Sequence, residues 1–106
     1  MKNNWRLYLN LGVTYIYKRS YQLAEKKLSY CLRALNANCM KCHFNLALIY
    51  SLWDEVPKLG SYTTSQRAKL AIKHAGQYRA WLKSQRRYDK SLVEKLNRWI
   101  SIANSK

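Results

Sequence analysis

Apolar side chains recur at helical spacing along nearly the whole chain, interrupted by short polar stretches. The first periodic segment predicts a helix from about Trp5 to Lys18. Ser20 is a fitting N-cap for a second, from Tyr21 to about Leu35, with Ala24, Leu28, Cys31 and Leu35 on one stripe. Asn36-Ala37-Asn38 reads as a polar turn, and a third helix is expected from about Met40 to Trp53. Asp54 to Thr64 holds Pro57, Gly60 and Ser61 and is the one extended loop of this reading. Ser65 is expected to cap a long fourth helix reaching about Arg86. Ser91 with Glu94 three residues on fits a capping box for a last helix, Leu92 to about Ala103.

The fourth helix is two-faced. At 100° per residue Leu70, Ala71, His74, Ala75, Tyr78, Trp81 and Leu82 share one side, and Lys69, Lys73, Arg79, Lys83, Arg86 and Arg87 share the other. Ile72 and Ala80 stray into the basic side.

An internal repeat organises these helices. Tyr8-Leu9-Asn10-Leu11-Gly12-Val13-Thr14-Tyr15 is matched 35 residues later by His43-Phe44-Asn45-Leu46-Ala47-Leu48-Ile49-Tyr50. A small residue, Gly12 or Ala47, lets a neighbouring helix approach closely. The pattern resembles the tetratricopeptide repeat (TPR) family. Repeat 1 supplies Tyr8, Leu11-Gly12, Tyr15, Ala24, Leu28 and Cys31; repeat 2 supplies His43, Leu46-Ala47, Tyr50, Ala68, Ile72 and Ala75. Departures are the missing Trp at the first position, Cys31 in place of Ala, and Asn36 and Ala80 in place of Pro.

The resemblance implies an all-α, right-handed stack of antiparallel helix hairpins in a single domain, residues 1–106. Repeat 1 would span about 5–36 and repeat 2 about 39–86, with a loop insertion near 54–64. A capping helix would occupy about 91–104. Two repeats are fewer than the roughly three usually needed for a stable stack. The last helix, a partner or a longer parent array would have to complete the core.

In this family the first helices of each repeat line a concave groove. Residue by residue this gives Arg6, Leu9, Val13, Ile16 and Tyr17, then Lys41, Phe44, Asn45, Leu48, Ser51 and Leu52. Such a groove is apolar with a basic rim and suits an acidic or amphipathic segment of a partner protein. The competing expectation is that Trp99 and Ile100 of the last helix fill it. The Lys and Asn pattern of the carboxylate-clamping members is absent, because Leu9 and Val13 stand at those places.

Charge adds a second reading. The 106 residues carry 20 Lys+Arg against 5 Asp+Glu, a net charge of +15, and residues 58–106 hold twelve basic side chains against two acidic. Such a field attracts polyanions and acidic proteins. The stripe Lys69, Lys73, Arg79, Lys83, Arg86 and Arg87 could follow a phosphate backbone, with Tyr88 as the best exposed aromatic for stacking. The alternative function is therefore a nucleic-acid-associated subunit of a larger assembly. At 48% hydrophobic residues, with four Trp and nine Tyr, the chain can bury a core and is not a disordered tail. No apolar run approaches the roughly 20 residues of a membrane span. Without a visible export signal a cytoplasmic location is expected; an exported chain with its signal removed is the other case.

Cys39-Met40-Lys41-Cys42-His43 matches C-x-x-C-H, the pattern of covalent haem attachment. The same Cys39, Cys42 and His43 could bind zinc, with Cys31 or His74 recruited by the fold as a fourth ligand. A third expectation is that these are three small packed side chains, and a Cys39–Cys42 disulfide is possible in an exported chain. No cofactor is expected, and catalysis has no support. The five carboxylates are scattered, no Gly-rich phosphate loop exists, and Ser, His and Asp fall in no triad spacing.

Overall fold

Five helices form in the order α1 (Trp5–Tyr17), α2 (Tyr21–Tyr30), α3 (Met40–Tyr50), α4 (Thr64–Ser84) and α5 (Lys90–Asn104). α2 runs on into a single π turn, Cys31–Leu35. The structure is a computed structural model that describes residues 4–106, and those residues form no strand. α1 packs on α2, α3 on α4 and α4 on α5, while α1 and α2 both reach α3. The result is a slab of 43 × 38 × 21 Å, whose thin dimension is two helix diameters of about 10 Å.

Each contact follows from the apolar stripes. The α1/α2 hairpin closes on Gly12: a Cβ built there would stand 2.5 Å from Leu28 Cγ, so only a glycine admits Leu28 at this depth. The turn between them is a Schellman motif, with Arg19 N–H donating to Ile16 O (2.9 Å) and Ser20 N–H to Tyr15 O (2.8 Å). It places Arg19 in the left-handed region at φ 61°. One core cluster joins α1, α2, α3 and the start of α4 around Leu9, Leu28, Leu46, Ile49 and Tyr50. A second joins Ala47, Ala75, Leu82, Val93 and Leu96, with Phe44, Tyr78 and Trp99 against it.

The helix ends differ in places from the periodicity reading. α3 stops at Tyr50, short of Trp53, because the buried Arg67 side chain takes its C-terminal carbonyl. Arg67 Nε donates to Tyr50 O (3.0 Å) and Nη1 to Val56 O (2.6 Å), with the guanidinium 4.4 Å from the Trp53 ring centroid. Thr63, not Ser65, caps α4. Its Oγ1 accepts from Gln66 N–H (3.0 Å) and Gln66 Oε1 accepts from Thr63 N–H (2.9 Å), a reciprocal capping box. Asp89, not Ser91, caps α5, its Oδ1 accepting from both the backbone (2.9 Å) and the hydroxyl (2.6 Å) of Ser91. These bonds hold the Asp89 carboxyl below the usual carboxylate range. A charged oxygen at a helix N-terminus also meets the dipole favourably, which a hydroxyl does less well. The expected loop is present between α3 and α4 but is anchored: Leu59 is buried in the core, and Gly60 turns the chain at φ 56°.

Candidate functional site

A cavity of about 440 Å³ opens where the N-terminus of α1 faces the turn into α3. Trp5, Arg6 and Leu9 come from α1, Asn36 and Lys41 from the turn and α3, and Trp81 from α4. Asn36 shapes the turn, its Oδ1 accepting from Asn38 N–H (3.0 Å) and its carbonyl from Cys39 N–H (3.2 Å). The Arg6 guanidinium lies 4.6 Å from the Trp5 ring centroid, and Lys41 is exposed at the other edge. No carboxylate lines this cavity among the described residues.

The structure divides the expected groove residues. Arg6, Leu9 and Lys41 border this cavity, with Leu9 only 8% exposed at its floor. Val13 and Ile16 are half-buried against the main core, and Tyr17 stands 83% exposed at the end of α1. Phe44 is covered by α5: its ring lies 5.5 Å from Trp99 and 5.0 Å from Tyr78. Asn45 turns back along its own helix, Nδ2 donating to Lys41 O (2.8 Å). Leu48 is half-buried, and Ser51 and Leu52 border a separate cavity of about 320 Å³ with Ile102 and Lys106. One continuous groove through all these residues is therefore not formed, because α5 lies across its middle.

The basic stripe is also broken. Lys69, Lys73, Lys83, Arg86 and Arg87 are exposed, but Arg79 is half-buried and donates from Nη1 to Asn97 Oδ1 (2.8 Å), tying α4 to α5. Residues 83–91 are exposed throughout, with Tyr88 at 41%. Trp81, on the apolar side by periodicity, is 39% exposed because it borders the α1/α3 cavity. Three of the five carboxylates are engaged locally. Glu25 accepts from Tyr50 (2.6 Å) and Tyr62, Glu55 accepts from Tyr21, and Asp89 caps α5. Burial and Glu25 together push the Tyr50 and Tyr62 hydroxyls up. With acids so scarce, several cations settle on aromatic faces instead, Lys27 on Tyr8, Arg33 on Tyr30 and Lys106 on Trp53.

The C-x-x-C-H residues do not act as one set. Cys39 and Cys42, N-cap and third residue of α3, are joined by a disulfide, and Cys39 Sγ also accepts from Cys42 N–H (3.2 Å). His43 joins them in no ligand cluster. Its Nδ1 instead lies 2.8 Å from Nδ1 of His74 on α4, beside a second cavity of about 440 Å³ that Lys73, Arg33 and Tyr62 also border. Burial holds both imidazoles neutral, with Lys73 adding to the effect; His74 is pushed down to about 4. The bond then joins opposite tautomers, one Nδ1–H donating to the other's lone pair. The haem and zinc readings through Cys39, Cys42 and His43 thus lose their nitrogen ligand. The residue brought to the cysteines is Cys31, which opens the π turn and is completely buried.

Periodicity gave no sign of Trp5 or Glu25 as organising residues. Arg67 falls within the apolar face of α4, four residues before Ala71, so a charge on the buried side was the one available signal, and only the packed loop reveals its carbonyl partners. The Thr63–Gln66 capping box, by contrast, stands in the sequence as Thr-x-x-Gln. No family model, curated protein or solved structure matches this chain.

Proposed function

We propose that the chain is a non-catalytic interaction module, a short TPR-like array in which α1/α2 and α3/α4 are the hairpins and α5 is the cap. The order of packing, each helix against its neighbour and α1 against α3, supports that arrangement. The observation that carries the function is the α1/α3 cavity: two tryptophans on its walls, Arg6 and Lys41 at its edge, and no carboxylate within it. Such a site takes an acidic segment of a partner protein with an apolar residue at its centre. Aromatic walls anchor the apolar group, while the cationic rim steers and orients the acids.

The test is a peptide panel in which Leu or Phe is flanked by Asp and Glu, with Lys-flanked versions as controls, read by the indole NMR signals of Trp5 and Trp81. Acidic peptides are expected to shift both signals, and Arg6→Glu with Lys41→Glu to weaken binding by about tenfold or more. Equal binding of both peptide sets, or no effect of the charge reversals, would overturn the reading.

A second reading, a nucleic-acid-associated subunit, is favoured by the wholly exposed 83–91 segment with Lys83, Arg86, Arg87, Lys90 and Tyr88. It predicts binding to single-stranded RNA with a steep salt dependence, lost when Lys83, Arg86 and Arg87 are changed to Glu.

A further inference from the structure

We propose that in the reduced chain Cys31, Cys39 and Cys42 form a three-thiolate site for a soft monovalent cation, Cu(I), beside the α1/α3 cavity, which Cys39 borders. The three Sγ atoms lie within 4.8 Å of one another, and all three residues are buried, Cys39 at 3% exposed and the others at 0%. Two separate elements bring them together. Cys39 and Cys42 share a face of the first turn of α3, three residues apart. Cys31 arrives from the opposite side, where the helix widens into the π turn whose Cys31 carbonyl accepts from Asn36 N–H (2.7 Å).

The donor set selects the ion. Thiolates favour soft cations such as Cu(I) and Zn(II), but a structural zinc site is closed by a fourth ligand. Among the described residues no fourth Cys, His, Asp or Glu joins the three. Three sulfurs with no fourth side chain fit a three-coordinate ion best. At the N-terminus of α3, Cys42 N–H donates to Cys39 Sγ (3.2 Å) and stabilises negative charge there. The Cys31 thiol donates to Trp5 O (3.3 Å), a bond it gives up when an ion displaces its proton. Cys39 borders the cavity and gives the ion its way in.

The Cys39–Cys42 disulfide and the ion-bound form exclude each other. Two thiols of a reductant supply two electrons and two protons, opening the S–S bond to two cysteine thiols and leaving the reductant as its own disulfide. Binding of Cu(I) then releases the thiol protons to solvent.

The experiment takes the full chain, reduced with a phosphine under anaerobic conditions, and titrates it with Cu(I) and, separately, Zn²⁺. Native mass spectrometry is expected to show one copper ion per chain, and X-ray absorption three sulfur neighbours around it. The untreated disulfide form should bind none. Cys31→Ser should weaken Cu(I) binding by about 100-fold or more, with its helical circular dichroism checked alongside, and His43→Gln should leave it unchanged. Two sulfur neighbours in the wild-type chain, binding by the disulfide form, or unchanged affinity without Cys31 would each overturn the proposal. A zinc complex that resists displacement by Cu(I) would do the same.

Discussion

His43 and His74 face each other across the α3/α4 contact with their Nδ1 atoms 2.8 Å apart, and Tyr50 stacks on His74 at 5.9 Å between centroids. Both rings resist becoming charged. Burial opposes it at each, Lys73 adds to the effect, a charge on His43 further opposes one on His74, and protonating both would remove the Nδ1–Nδ1 hydrogen bond.

The folded histidines therefore bind protons less readily than the unfolded ones, whose ordinary value is about 6.5. Their contribution to stability is complete above that value and is lost as the pH falls towards the folded value of about 4 for His74. From pH 7 to pH 5 His74 alone should cost about 2 kcal/mol. Urea unfolding at each pH measures it. A flat profile over that range, or one unchanged in His74→Phe, would contradict the account.

Gly12 and Gly76 should respond in opposite ways to alanine. A Cβ at Gly12 meets Leu28 at 2.5 Å, whereas nothing lies within 4 Å of one at Gly76 inside α4. Gly12→Ala is expected to destabilise by about 1–3 kcal/mol through overpacking. Gly76→Ala should stabilise by about 0.5–1 kcal/mol, since alanine restricts the unfolded chain and favours helix. Thermal unfolding of the two variants checks both signs.

Arg67 is buried beneath the loop and satisfies the carbonyls of Tyr50 and Val56. Arg67→Leu would leave both without that partner, at a cost of about 3 kcal/mol. Hydrogen exchange should accelerate first at Ser51 and Val56, whose amides bond within the segment that Arg67 holds. Uniform acceleration over the whole chain would instead mean that α3 and the loop open only with global unfolding.

Arg19 occupies a left-handed conformation that costs a side-chain-bearing residue roughly 1 kcal/mol. Arg19→Gly should therefore gain stability, by about 0.5 kcal/mol after the added freedom of the unfolded chain is counted. A loss of stability in denaturant unfolding would show that the arginine makes a contact worth more than its strain.

The amino-acid sequence by itself determined the helices and their approximate limits, because each is long enough for its apolar stripe to show. The 35-residue repeat also marked where helices approach closely: Gly12 and Ala47 are both buried at such contacts. Helix ends were less legible wherever a cap competed with a neighbouring polar residue, as Thr63 did with Ser65 and Asp89 with Ser91.

Tertiary structure alone decided which residues meet. Cys42 and His43 are adjacent in the chain, yet successive helix positions point about 100° apart, so one joins Cys31 and Cys39 while the other turns to His74. In the same way α5 covers Phe44 but leaves Arg6 and Lys41 open, a division that depends on where the last helix crosses the others. Periodicity tells which face of a helix is buried; the partner buried against it is set by the packing of elements far apart in sequence.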